Sequence, residues 1–245
     1  MLRTIFNHLK SQWYKYVIEI IVVIVGILIA FNLEQWGETR KDRKREIEIL
    51  KELKAALSAD LSEAEWNIGS HERSILSSKT ILRVIKDDLP YHDSLDVYFS
   101  YTHAFTNLSG RVGPIEQLKN SNLEIVSNDK LRMEIISMYD EAYPRIKRIE
   151  TLVIRDYEQL RNFDRLYFDA YDPEAVSTCK YLKPPFWGTM RPIRFADLKT
   201  NPEYAALLRA KISNQMGLLR GHYKPMAQSL VNLLDHIDQE LERLE

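Results

Sequence analysis

The sequence predicts an all-α protein. An N-terminal transmembrane helix continues into a long antiparallel helical bundle of about three long helices plus short connecting ones. Three observations carry that expectation. An apolar run at residues 16–36 is long enough to cross a bilayer. Three later stretches place apolar residues at alternating steps of three and four, the spacing of one helix face. Prolines stand at the edges of those stretches, at Pro90, Pro173 and Pro202.

The run reads YVIEIIVVIVGILIAFNLEQW. From Val17 to Phe31, 12 of 15 residues are Val, Ile, Leu or Phe. Such residues favour insertion by about 0.3–0.6 kcal/mol each at the bilayer centre, and one acid opposes it by roughly 3. The sum favours insertion, and Glu19 sits near the end of the run, where its cost is lower. Trp13, Tyr14 and Tyr16 before the run and Trp36 after it complete the span with interfacial aromatics. A cleaved signal peptide would carry small residues in an A-x-A-like pattern after the run. AFNLEQW has no such pattern, so a retained anchor is expected. The chain then divides into a tail (1–15), the transmembrane helix (16–36), a basic juxtamembrane segment (37–46) and a bundle domain (47–245).

At ~100° per residue, Glu19, Gly26 and Ala30 fall within about 40° of one another. Gly26 and Ala30 form a small-xxx-small notch that lets helices approach closely. The face thus pairs an intramembrane acid with a notch, a candidate helix-contact surface. The alternative is a shallow glutamate that pairs with Lys15 and snorkels to the headgroups.

Formal net charge is −1, which gives no overall basic bias toward nucleic acid. Residues 1–45 hold 8 Lys and Arg against 4 Asp and Glu, so basic charge gathers around the apolar run. Arg40, Lys41, Arg43, Lys44 and Arg45 form a juxtamembrane cluster suited to anionic lipid. No aromatic residue interleaves them, so nucleic acid is not an expected partner. Lys and Arg balance across the run leans toward a cytoplasmic bundle, and the usual behaviour of N-terminal signal anchors leans the other way. The single cysteine, Cys179, excludes a disulfide within one chain.

Beyond the cluster the first stripe runs Ile47, Leu50, Lys54, Leu57, Leu61, Ala64, Ile68, His71, Ile75, Ser78, Leu82, Ile85 and Leu89. The second runs from Leu131 to Ala170, after a cap at Ser127 or Asn128. The third runs from Tyr204 to Leu244, with Asn201 as cap and Pro202 at the first helical position. Each covers about 40 residues, or roughly 65 Å. The first connector, residues 90–127, is expected to hold short helices near Ser94–Asn107 and Pro114–Lys119.

If the second long helix runs back toward the bilayer, the second connector (171–201) lies at the membrane surface. Phe186 and Trp187 with Arg191 and Arg194 would then form an interfacial loop, and an ordinary loop on the bundle's end is the alternative. Gly69–Ser70, Pro144 and Pro225 are expected at similar heights, where kinks could open a small polar pocket lined by His71, Tyr143, His222 and Tyr223; plain bending, with a buried His bonded locally, is the alternative.

Residues 17–41, VIEIIVVIVGILIAFNLEQWGETRK, and 115–140, IEQLKNSNLEIVSNDKLRMEIISMYD, resemble two stretches of an uncharacterised family of bacterial single-pass membrane proteins. Leu33, Glu34 and Gln35 stand where that family usually carries Ile-Asn-Asn. The resemblance implies a single-pass protein of the bacterial inner, cytoplasmic membrane and supplies no activity.

No phosphate-binding loop, dinucleotide fingerprint or nucleophile elbow occurs. No His has a Glu three residues before it, so the di-iron bundle pattern is absent. His236 and Glu240 share a face, a spacing common by chance. No catalytic residue, metal or cofactor is expected. The expected function is that of a membrane-anchored interaction or scaffold protein, which contacts lipid and associates with itself or another membrane protein. A ligand-sensing accessory subunit that signals through a membrane partner is the alternative, because the roughly 15 residues across the membrane are too few for an output domain.

Overall fold

A computed structural model describes residues 2–169, 172, 179–183 and 188–245, with the side chains of 2–16 and 121 excepted. Helix α1 (Leu2–Lys86) is one unbroken helix of 85 residues, about 130 Å long. It holds no proline, so no turn of it loses a hydrogen bond. It ends before Pro90. The Asp88 backbone turns left-handed at φ 52°, Leu89 N–H donates to Val84 O and Asp88 N–H to Ile85 O. That paired arrangement closes a helix C-terminus and satisfies its last carbonyls.

The first connector carries α2 (Asp96–Thr102) and α3 (Gly113–Ser121). The second long column is α4 (Asp129–Ser137), a π-turn (Met138–Ala142) and α5 (Tyr143–Tyr167). A short α6 (Phe195–Thr200) precedes the third column: α7 (Pro202–Leu218), a π-turn (Leu219–Tyr223) and α8 (Lys224–Leu244). Among the described residues no strand forms. Two isolated bridges, Phe168 with Pro192 and Asp172 with Thr189, tie the second connector together.

The two π-turns have one cause. Pro144 and Pro225 lack an N–H, and their rings would strike the carbonyl four residues back. Each column widens by one residue just before its proline, so that Tyr143 N–H reaches Met138 O and Lys224 N–H reaches Leu219 O. The columns stay continuous.

The connectors do not lie where the sequence suggested. The first does not stay at the far end; it turns there and runs back along the whole bundle. Its contacts with α1 descend in order: Thr106 at His71, Ser109 at Glu63, Arg111 at Asp60 and Ser127 at Glu46. Glu46 to Lys86 is about 60 Å of helix, which an extended chain covers in ~18 residues. The connector has length to spare. The second column therefore runs in the same direction as α1, and α7–α8 is antiparallel to both. The described part of the second connector sits at the end remote from the apolar run, where Lys199 pairs with Asp88. There Arg191 meets Asp96 at 3.2 Å, and Arg194 meets Asp197 and lies over the Tyr167 ring. The interfacial-loop expectation is corrected accordingly; its other members, Phe186 and Trp187, lie outside the described residues.

Two large apolar cores result, with a smaller cluster of Val97, Tyr101, Ala104 and Leu182. One runs from Leu50, Leu53 and Leu57 to Leu230, Ile237 and Leu244. The other gathers Ile81, Phe99, Leu160, Phe163, Tyr204 and Leu208 near the far end. We predict that Asn201→Ala lowers the unfolding free energy by about 1 kcal/mol in urea titration. Its Oδ1 accepts from Glu203 N–H at 2.9 Å and Tyr204 N–H at 3.1 Å.

Candidate functional site

The first candidate region is the apolar part of α1. Every residue from Val17 to Trp36 is exposed, and none of them packs on the bundle. Among the described residues this is one helix long and apolar enough to cross a membrane. A Cβ added at Gly26 would meet nothing within 4 Å. At ~100° per residue, Gly26 and Ala30 lie roughly opposite Leu53 and Ala64, which face the bundle. The Glu19–Gly26–Ala30 face therefore points outward, and the half-exposed Trp66 continues it along α1.

The basic cluster divides. Arg40 stacks over the Trp36 ring at 4.7 Å, and Lys41 and Lys44 are exposed. Arg43 reaches the far end of the chain instead: its Nε donates to Leu244 O at 2.7 Å. Arg45 borders a cleft of about 690 Å³ formed there.

The second region lies between the two cores. The returning connector is irregular from His103 to Val112 and again at Val126–Ser127, so its peptide groups there need partners from elsewhere. The long helices supply them with charged side chains. The α7 residue Lys211, 2 % exposed, donates to Thr102 O and to Ala104 O. Glu150 on α5 accepts from Leu108 N–H at 2.9 Å and from the Tyr223 hydroxyl. Glu63 accepts from Ser109 N–H at 2.8 Å. Asp60 accepts from Arg111 N–H, from its guanidinium at 2.6 Å and from the Tyr143 hydroxyl at 2.7 Å. At the base Glu46 accepts from Ser127 N–H at 2.7 Å.

His71 stands at the centre of this layer. Gln215 Nε2 lies 3.3 Å from its Nδ1, and its Nε2 lies 3.4 Å from Thr106 Oγ1. This suits a neutral ring that accepts at Nδ1 and donates at Nε2. Burial, then the Lys211 charge, lowers its pKa from 6.5 to about 4. Burial lowers Lys211 itself to about 7 against the carboxylates of Asp156 and Asp164. His103, fully buried 2.5 Å from Asp164, is also lowered by burial. Burial raises the Glu150 carboxyl and raises the Tyr143 and Tyr223 phenols far above their ordinary value.

The expected kink-level pocket is corrected here. His71 and Tyr223 do meet, with ring centroids 5.5 Å apart, but they fill the layer at 1 % and 0 % exposure. Tyr143 contacts Asp60, eleven residues below His71 on α1, or ~16 Å away. His222 is only partly buried and lies outside the layer. The helix breakers do not align because the second column starts at the base, so Pro144 is counted from the opposite end. The π-turns also preserve the packing that kinks would have opened.

Lys211, Glu150, Asp60 and Gln215 were not read from sequence as site residues. Their signal was present as polar residues beside apolar stripe positions such as Ile149, Leu61 and Ile212. The sequence pair His236 and Glu240 diverges: His236 meets Glu134 at 2.6 Å, while Glu240 turns to Asn128 and Arg243. Among the described residues no group of three or more His, Cys, Asp and Glu side chains is placed to hold a metal.

These features define a helical bundle built on one long helix that is exposed and largely apolar from Val17 to Trp36. Residues 19–160 match the family of unknown function DUF6090, and the chain belongs to that family. The match covers Glu46, Asp60, Glu63 and Glu150 and ends before Lys211 and Tyr223. No curated protein and no solved structure matches the chain.

Two predictions follow from the layer. Asp60→Ala leaves the buried Tyr143 hydroxyl and the Arg111 amide without an acceptor, and should cost about 3 kcal/mol in denaturant unfolding. The second concerns pH. His71 binds its proton at about 4 in the fold and at 6.5 unfolded, so in that window the unfolded chain binds more protons and stability rises with pH. Lys211 acts with the same sign between about 7 and 10.5. Stability should therefore fall on acidification from pH 6.5 to 4, and His71→Gln should remove part of that slope. Lys211→Met should flatten the alkaline limb.

Proposed function

We propose that this chain is a single-pass membrane-anchored interaction protein without catalysis of its own. Residues 16–36 cross the bilayer, and the bundle rides on the same helix. One observation carries this reading: the whole apolar run is exposed on a helix continuous with the bundle. Apolar surface in water costs ~25 cal/mol per Å², and large contiguous exposed patches mark membrane or protein contacts. Arg40 and its basic neighbours then rest at the lipid headgroups.

Association through the Glu19–Gly26–Ala30 face is the proposed mode of action, with a second copy or another membrane protein as partner. The face points away from the bundle, so a partner helix can dock without meeting it. The bacterial inner membrane is the proposed location, on the resemblance of residues 17–41. The ligand-sensing alternative would need an opening in the polar layer, and His71 and Tyr223 fill it.

The full chain should float with vesicles and resist alkaline carbonate; release would overturn the anchor. Gently extracted, it should run as a discrete homo-oligomer or with one stoichiometric membrane protein. Gly26→Leu should dissolve that complex. A bare monomer indifferent to Gly26→Leu would overturn the association face.

A further inference from the structure

The cleft of about 690 Å³ at the base of the bundle joins three parts of the chain that are distant in sequence. One wall is α1 just beyond Trp36, with Asp42, Arg43 and Arg45; the others are the end of the first connector, with Glu124, and the last turn of α8, with Arg243. Its frame is braced. Arg43 donates to Leu244 O and Arg243 O, which ties the end of α8 to α1. Arg243 donates to Ser127 Oγ at 3.1 Å and pairs with Glu240. Glu46, also in the lining, is buried and engaged by Ser127.

The charge that lines the cleft has both signs. Three guanidiniums, Arg43, Arg45 and Arg243, share the cleft with the exposed carboxylates of Asp42 and Glu124. A simple anion would meet the carboxylates, and a simple cation would meet the arginines. A ligand carrying a phosphate beside an ammonium satisfies both sets. Planar guanidinium forks suit phosphate oxygens, and a primary ammonium offers three donors to carboxylates. The volume lies within the roughly 300–1,000 Å³ of small-molecule sites.

The position agrees with that ligand. Arg43 lies seven residues past Trp36, or about 10 Å along the helix. The headgroup layer is ~5–8 Å deep on each side of the hydrocarbon. Helical side chains lean toward the N-terminus, so arginines on α1 reach back toward that layer.

We propose that this cleft holds the headgroup of a zwitterionic phospholipid with a primary amine, its phosphate on Arg43, Arg45 and Arg243 and its ammonium on Glu124 and Asp42. The inference rests on the membrane reading above. The bound lipid closes the base of the bundle onto the bilayer.

The test uses the full chain in phosphatidylcholine nanodiscs doped equally with phosphatidylethanolamine and phosphatidylglycerol, and reads the lipid retained by native mass spectrometry. One phosphatidylethanolamine per chain should be retained over the other two, because choline has no N–H and glycerol no charge. Arg243→Gln should lower retention by about tenfold or more, the value of one charge-assisted bond. Glu124→Gln should erase the preference for phosphatidylethanolamine over phosphatidylglycerol. Among the described residues the Glu124 carboxylate makes no hydrogen bond or ion pair, so this variant decides the matter even if Arg243→Gln loosens α8. Preference for phosphatidylglycerol, no retained lipid, or a preference unchanged in Glu124→Gln would each overturn the proposal. A chain that stays in vesicles yet shows no preference sinks this site alone; one released by alkaline carbonate sinks the anchor.

Discussion

A peptide chain that is neither helix nor strand cannot enter a protein interior unless every N–H and C=O finds a partner. The stretch from His103 to Val112, and the short one at Val126–Ser127 beyond α3, are in that position, threaded along three helices. Much else in the bundle follows from this. Lys211, Glu150, Glu63, Asp60 and Glu46 serve the connector's backbone one after another, in the order in which it descends. Each is a charged group on a face that would otherwise carry Leu or Ile. Burying such groups costs several kcal/mol apiece unless they are bonded, and at Thr102, Ala104 and Leu108 the bonds go to peptide groups of residues that are themselves buried. Removing either side leaves the other stranded.

The same requirement divides the hydrophobic core. Around His71 the interior holds Ser70, Ser74, Ser77, Ser78, Lys211 and Gln215, all buried. The hydroxyls of Ser74, Ser77 and Ser78 have no partner among the described residues. Apolar packing resumes at Ile81. The layer thus takes its specificity from hydrogen bonds and its pH sensitivity from burial. His71 stays neutral because a charged ring there would lack both solvent and a carboxylate partner.

The helices were legible in the sequence because their faces repeat. Asn128 and Asn201 cap where polar residues precede an apolar stripe, and Pro144 and Pro225 disturb the columns where they stand. Two things were hidden. The spacing of connectors says how far a chain can go and not which way it goes, so the direction of the second column could not be read. The centre of the buried face of α1 was hidden as well. Leu61, Ile68 and Ile75 draw the eye to a stripe one residue beyond the true one, which carries Asp60, Asn67 and Ser74. A rule that follows apolar residues finds the flank of a mixed face and misses its middle. The outward position of Gly26 and Ala30 was also out of reach, since it depends on which side of α1 the rest of the bundle occupies.

Helix α1 passes from its apolar run into the bundle without a proline or a break. A helix of this kind resists twisting, so its two halves turn together like the ends of a crankshaft. Whatever grips the neighbourhood of Gly26 sets the compass bearing of the bundle as well. A change of grip by one residue there would swing the far end, with Tyr181 and Ile193 exposed on it, through ~100° of arc.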